Sequence, residues 1–133
     1  MAMGRGSDMM SVFVALLLIN WSTDTTASHI PYSQIHEVGD SEGWGLGVSY
    51  QDWTNGRALA AGDILVFKYQ PGQHNVVPVN GASYSSCKPT AFAASKTVST
   101  GNDKFKLKKG ANYFICSLPG DCQAGMKLLV NAN

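Results

Sequence analysis

Four side chains of this sequence could together bind a metal ion. Cys116, Asp121 and Met126 follow one another with four residues in each interval. The Pro119-Gly120 dipeptide between them favours a turn, so this segment should fold back and bring the three side chains around one point. His74 lies earlier in the chain, in a strand of its own. Thiolate, imidazole and thioether are the soft donors that suit copper, so the pattern predicts a copper-type site.

The elements that must position these residues are short strands joined by turns. Turn-forming dipeptides recur along the chain, because glycine and asparagine tolerate positive φ and proline presets the first corner of a turn. These dipeptides are Pro71-Gly72, Asn80-Gly81, Gly101-Asn102, Lys109-Gly110 and Pro119-Gly120. One segment, Thr90 to Ser95, reads as helical. Many short strands with regular turns predict an all-β antiparallel sandwich or barrel with one short helical segment.

Hydrophobic alternation identifies the strands and the sides that face the core. From Lys104 to Lys108, lysines alternate with apolar side chains, which places Phe105 and Leu107 in the core. Pro78 cannot donate a ladder hydrogen bond, so its strand should lie at a sheet edge or contain a bulge. The run from residue 64 to 69 should be a further strand, with these side chains on one face: Leu65, Phe67 and Tyr69.

The composition excludes several classes of protein. Of the 133 residues, 14% are charged and 44% are hydrophobic, and the formal net charge is +1. Nucleic-acid-binding proteins usually carry a strong basic excess, coiled coils need abundant glutamate and lysine, and disordered chains contain few apolar residues. The chain fits none of these classes, and we expect no nucleic-acid partner.

The N-terminal segment has the pattern of a secretory signal peptide. Arg5 is its one basic residue, an apolar run from Val12 to Ile19 follows, and small polar residues lead to Ala27. Eight apolar residues are too few to cross a bilayer, which needs about 20. We therefore expect residues 1–27 to be removed and residues 28–133 to form a single secreted, extracellular domain. The C-terminus carries no hydrophobic tail, so no membrane anchor is expected.

Several blocks of the remaining chain carry a resemblance to a known family. They are Gly43-Trp44, Trp53, Ala61 to Phe67, His74 to Val77, Cys87 and the stretch from Tyr113 to Asn131. Through these blocks, the chain from about His36 to Asn133 resembles the phytocyanins, most closely the plantacyanin type, the basic blue copper proteins of plants. The resemblance implies a cupredoxin-like Greek-key β-sandwich. It also implies a secreted single-electron carrier with a type 1-like copper site, not an enzyme, whose partner is an extracellular redox protein or a cell-wall component.

The resemblance also implies roles for the cysteines and for two further residues. A structural disulfide is implied between Cys87 and Cys122, which leaves Cys116 as the thiol ligand of the metal. His74 and Met126 are implied as the imidazole and thioether ligands.

One ligand position departs from the family's pattern. The copper loop of the family reads Cys-x4-His-x4-Met, whereas this chain has Asp121 in place of the histidine. Blue copper sites use two imidazoles and one thiolate, with a weak axial methionine. A carboxylate oxygen is a harder donor that favours Cu(II) over Cu(I), so we expect copper binding that is weakened or non-blue. His29 and His36 are expected to be surface residues that do not replace the imidazole.

Two other functions are compatible with the sequence. A cupredoxin domain without its metal could act as an extracellular binding or signalling protein in the plant cell wall or reproductive tissue. Alternatively, Cys116, His74 and Asp121 could form a thiol-hydrolase triad, since a nucleophile, a base and an orienting acid are present. Such a triad needs an exposed thiolate beside a substrate cleft, whereas this loop should cap a packed sandwich.

Overall fold

The computed structural model describes residues 32–133, which contain six strands and three short helices. The strands are β1 (Ile35–Glu37), β2 (Ile64–Lys68), β3 (Val77–Val79), β4 (Asn102–Lys106), β5 (Gly110–Ile115) and β6 (Lys127–Ala132). The helices are α1 (Tyr50–Thr54), α2 (Gly81–Ser86) and α3 (Ala91–Ala94), and a 3₁₀ turn covers Asp40–Glu42. The predicted signal peptide, residues 1–27, lies outside the described residues.

The strands form two three-stranded sheets. One has the order β1-β2-β4, in which β1 runs parallel to β2 and β4 runs antiparallel to it. The other has the order β3-β5-β6 and is antiparallel throughout. Phe67 on β2 links them, because its ring contacts Phe105 on β4 and Phe114 on β5 at centroid distances of 5.6 and 5.2 Å. The predicted all-β sandwich is confirmed.

The alternating patterns place Leu65, Phe67 and Leu107 as expected, whereas Phe105 is only partly buried against the core and Val66, on the other side of β2, is buried too. Leu65 and Phe67 on β2 have no exposed surface, and Leu107 is 2% exposed. Pro78 lies in β3 at the edge of its sheet, so its missing N–H interrupts no central ladder. The two sheets therefore enclose an apolar core that includes Cys116, just after β5, and Met126, just before β6. His74, which was expected in a strand, lies before β3 and forms an isolated bridge with Pro71.

The helices are more numerous than the one segment that the sequence predicts. The expected helix is present as α3, but α1 and α2 are additional. Asn80, which the sequence places in a turn, is instead the N-cap of α2, since its side chain accepts a hydrogen bond from the Ser83 N–H. Ser49 caps α1 in the same way, through the Asp52 N–H. With five and six residues, α1 and α2 are too short to show a hydrophobic periodicity, which explains why the sequence pattern did not predict them.

The implied disulfide between Cys87 and Cys122 is confirmed. It joins the end of α2 to the loop before β6, and the two Cα atoms are 5.7 Å apart. Cys122 packs in a small second core with Val77, Ala93 and Ile115. Because Cys122 directly follows Asp121, the bond anchors the loop that carries the predicted metal ligands.

The expectation that His36 is a surface residue is wrong. Its side chain is 11% exposed, and its Nε2 lies 2.9 Å from Oδ2 of Asp63, which is itself buried. Burial alone would raise the pKa of Asp63, but hydrogen bonds from His36 and from the N–H groups of Ala60 and Gln34 outweigh burial and lower it. The pair holds β1 against the start of β2. His29 lies outside the described residues.

None of the helices within residues 32–133 has the combination of length and apolar character that crossing a membrane requires.

Candidate metal centre

Three of the predicted site residues converge in the structure. Oδ2 of Asp121 lies 2.8 Å from Nδ1 of His74 and accepts a hydrogen bond of 3.2 Å from the Cys116 thiol. The potential ligand atoms of the three residues all lie within 4.8 Å of one another. Within the described part of the chain, they form the one cluster of three or more His, Cys, Asp or Glu side chains with metal-binding spacing.

Main-chain hydrogen bonds close the loop that carries Cys116, Asp121 and Met126. The Cys116 N–H donates to the Met126 carbonyl at 3.1 Å, and the Met126 N–H donates to the Asp121 carbonyl at 3.0 Å. Gly120 has a φ of +84°, which a side chain would disfavour, so the predicted turn requires glycine at this position. Met126 has no exposed surface and lies in the same core cluster as Cys116. The loop therefore folds back as the spacing predicted.

Asn75 joins the His74 segment to the Cys116 segment. Its Oδ1 accepts a hydrogen bond of 2.8 Å from the Ser117 N–H, and its Nδ2 donates to Ser117 Oγ at 2.9 Å. Its carbonyl accepts a hydrogen bond from the Trp44 indole at 2.9 Å. Asn75 is 8% exposed, so these bonds satisfy a buried polar side chain. Asn75 directly follows His74 and Ser117 directly follows Cys116, so this pair of hydrogen bonds, the Asn75 clamp, fixes the separation of His74 from Cys116.

This role of Asn75 could not be predicted from the sequence. The residue lies within a block of the family resemblance, but the neighbouring sequence does not show that its amide is buried. Nor does it show that the amide forms hydrogen bonds with a residue 42 positions later. Tyr69 is a second residue without a predicted role at the site. Its ring packs against the His74 ring at a centroid distance of 6.4 Å, and its hydroxyl donates to Asp103.

The surroundings of Cys116 keep its thiol protonated in the absence of a cation. Burial raises the pKa of the thiol, and the Asp121 carboxylate raises it further, whereas the N–H groups of Asn75 and Leu118 lower it. The residue has no exposed surface. A hydrolytic nucleophile needs an accessible thiolate with a depressed pKa, so the geometry does not support the thiol-hydrolase alternative.

The donor set fits a copper ion, but it is one imidazole short of a blue copper site. Imidazole and thiolate from His74 and Cys116 are donors that copper favours, and the Met126 thioether is a soft donor in the adjoining core. Asp121 occupies the remaining position with a carboxylate oxygen, which lies in contact with both His74 and Cys116. The assignment of these residues as ligands stays a prediction, because proximity alone does not establish metal binding.

Comparison with known proteins places the chain in a family. Residues 44–126 match the model of the plastocyanin-like domain. The chain is 41% identical over 132 residues to a protein named chemocyanin from Lilium longiflorum, an alignment that covers 99% of both sequences. It is 47% identical over 98 residues to a basic blue protein from Cucumis sativus, covering 74% of this chain and 98% of the relative.

Solved structures agree with the sequence comparisons. The cucumber basic protein, described as a blue copper protein, superposes with a TM-score of 0.69 at 46% identity and covers 74% of this chain and 99% of its own. Spinach plantacyanin superposes with a TM-score of 0.62 at 50% identity, covering 68% and 94% of the two chains. Together with the sandwich and the His-Cys-Asp cluster, these matches show that the chain belongs to the phytocyanin family of plastocyanin-like cupredoxins.

Proposed function

We propose that the protein is a secreted single-electron carrier whose mononuclear copper site is formed by His74, Cys116 and Met126 and altered by Asp121. The observation that carries the proposal is the position of the Asp121 carboxylate, which contacts both the imidazole and the thiol. A cation placed among these atoms would replace the Cys116 proton and share the carboxylate. Copper, when bound, supplies the one-electron Cu(II)/Cu(I) couple.

The residues of the site have separate roles in this proposal. Cys116 loses its proton and presents a thiolate, which the N–H groups of Asn75 and Leu118 stabilise. His74 presents Nδ1, the ring nitrogen that faces Asp121. Asp121 adds a negative charge to the site, and that charge stabilises the more highly charged Cu(II) ion. The reduction potential should therefore be lower than in a site with histidine at the same position.

A rigid scaffold is consistent with an electron carrier. A site that changes shape little between its two charge states has a small reorganisation energy for electron transfer. Three features restrain the loop: the Cys87–Cys122 disulfide, the Asn75 clamp, and the main-chain bonds that join Cys116, Met126 and Asp121. The main-chain bonds lie where β5 ends and β6 begins, over the large core, and the disulfide ties the same loop to the smaller core.

Localisation and partners follow from the sequence and the family. The predicted signal peptide, residues 1–27, supports secretion, so the protein would act outside the cell. Its partner would be an extracellular redox protein or a cell-wall component. We propose no catalytic reaction, since Cys116 is buried and its thiol pKa is raised.

Copper titration followed by voltammetry tests this function. We expect one Cu(II) per molecule, a reversible one-electron wave, and loss of binding in Cys116→Ser. Asp121→Asn removes the carboxylate charge and should raise the potential, whereas Asp52→Asn, at an exposed position of α1, removes an equal charge and should leave the potential unchanged. Binding that survives in Cys116→Ser, or a copper complex without a reversible wave, would contradict the proposal.

The same contacts also favour a second function, that of a metal-free extracellular binding or signalling protein. The Asp121 carboxylate already satisfies the His74 ring nitrogen and the Cys116 thiol through hydrogen bonds. These polar groups therefore need no cation in order to be stably buried. Thermal unfolding separates the two functions, since a site-specific ligand raises Tm. A Tm that does not respond to stoichiometric Cu(II) supports the metal-free function.

A further inference from the structure

A pocket of about 320 Å³ lies outside the candidate metal centre. It is lined by residues of α1, α2 and β6 and includes none of the four predicted donor residues. Its volume lies at the lower end of the range for small-molecule sites, about 300–1,000 Å³. The pocket can therefore accept one small ligand or one unit of a polymer.

Three side-chain amides face this pocket. Gln51 comes from α1, Asn55 is the C-cap of the same helix, and Asn131 comes from β6. Within residues 32–133, no hydrogen bond engages any of these side-chain amides. Each amide offers two N–H donors and a carbonyl acceptor. The complementary ligand group must also donate and accept at close spacing, and a row of hydroxyls on a sugar ring has this property.

A single positive charge lies in the same pocket. The Lys127 ammonium is 4.5 Å from the centroid of the Tyr84 ring and donates a hydrogen bond of 3.4 Å to the Tyr84 carbonyl. In the described part of the chain, Lys127 takes part in no salt bridge. The ammonium is held at the pocket by an aromatic ring, and it can neutralise one anionic group of a ligand.

Tyr84 and Leu129 give the pocket an apolar wall beside its polar groups. Hydroxyl-bearing rings have C–H faces that pack against such a wall. From the three amides, the lysine and this wall, we infer that the pocket binds a sugar acid, that is, a uronic acid residue, either free or within a polysaccharide. Its hydroxyls would meet the amides of Gln51, Asn55 and Asn131, and its carboxylate would meet Lys127.

The pocket distinguishes this ligand from two simpler ones. Inorganic phosphate offers mostly acceptors, so it would leave the three amide carbonyls without donors. A neutral sugar would leave Lys127 without its anion. An acidic peptide would satisfy Lys127 but would not supply closely spaced hydroxyls, and peptide binding is therefore the alternative outcome that the experiment must detect.

Titration of the purified protein, followed by amide chemical shifts in NMR spectra, tests the inference. The probes are galacturonate, galactose, an oligomer of galacturonate and poly-glutamate. We expect saturable shifts from galacturonate at Gln51, Asn55 and Asn131, and binding of galactose weaker by about tenfold, because it lacks the charge-assisted hydrogen bond to Lys127. Tighter binding of the oligomer than of the monomer would identify a polysaccharide as the source, and equal binding would identify the free sugar acid.

Substitutions distinguish binding of galacturonate in the pocket from nonspecific electrostatic attraction to the protein. Lys127→Met keeps the stem over Tyr84 but removes the charge, and should weaken galacturonate about tenfold. Asn131→Ala should also weaken it, although it changes no charge. Lys104→Met, at an exposed lysine outside the pocket, alters net charge equally and should have no effect. The inference is overturned if galacturonate does not bind, if poly-glutamate shifts the same residues, or if Lys104→Met matches Lys127→Met.

Discussion

Removing the Cys87–Cys122 disulfide should cost the protein a large part of its stability. The bond closes a sequence separation of 35 residues. The chain-entropy relation for such a loop gives about 4 kcal/mol at 25 °C, and a domain of this size has a total free energy of unfolding of only about 5–15 kcal/mol. The substitution of choice is the double variant Cys87→Ala/Cys122→Ala, because serine would place a hydroxyl in the apolar surroundings of Cys122.

Urea unfolding of the variant and the wild type measures this effect. With an m-value of about 2 kcal/mol per molar urea, a loss of about 4 kcal/mol lowers the midpoint by about 2 M. Ser85→Ala, an exposed substitution in α2, serves as the control and should move the midpoint little. A loss below about 1 kcal/mol would refute the claim that the bond stabilises the fold by restricting the unfolded chain.

Three further predictions concern residues that hold the fold and the site. The pKa of Asp63 is lowered in the folded protein, so the stability that its carboxylate contributes is present above the unfolded pKa of about 3.9 and is lost as pH falls through the folded pKa. In urea unfolding, Asp63→Asn should have a smaller free energy of unfolding at pH 7, and this free energy should decrease less steeply toward acid pH than in the wild type. An equally steep decrease in both proteins would contradict this. Asn75→Ala breaks both hydrogen bonds to Ser117 and should cost about 1–3 kcal/mol in the same assay, together with weaker copper binding; a variant of unaltered copper affinity would show that the clamp does not position the ligands. Phe67→Ala removes the ring that joins the two sheets and should lower the free energy of unfolding by about 3–5 kcal/mol. A loss under about 1 kcal/mol would show that this ring does not hold the two sheets together.

The strands were predictable because their signals are local. Lysines alternate with Phe105 and Leu107, and this period of two fixes which face is buried regardless of the rest of the chain. The helices were not predictable in the same way. α1 and α2 are defined by single capping residues, Ser49 and Asn80, and such residues are equally common in turns.

The same distinction between local and remote signals applies to the residues of the site. Cys116, Asp121 and Met126 lie within one short loop, so their spacing predicted their proximity. Donor chemistry suggested His74, and the family resemblance supported it. Asn75 could not have been found in this way, because its partner is 42 residues away.

The error at His36 has the same cause. The position of His36 near the N-terminus suggested exposure, whereas its burial depends on Asp63, which is 27 residues distant. Contacts between segments far apart in the sequence form only in the folded sandwich, so a local sequence pattern does not predict them.

In the proposed copper site, Asp121 is the one residue that departs from the ligand set of a blue copper site. The absorption spectra of the Cu(II)-loaded wild type and of Asp121→His, recorded side by side, test it most directly. We expect the wild type to lack an intense thiolate-to-copper band at about 600 nm and Asp121→His to show it, since the other ligand positions are in register. An intensely blue wild type, or an Asp121→His variant that binds copper and stays colourless, would show that residue 121 does not determine the type of copper site.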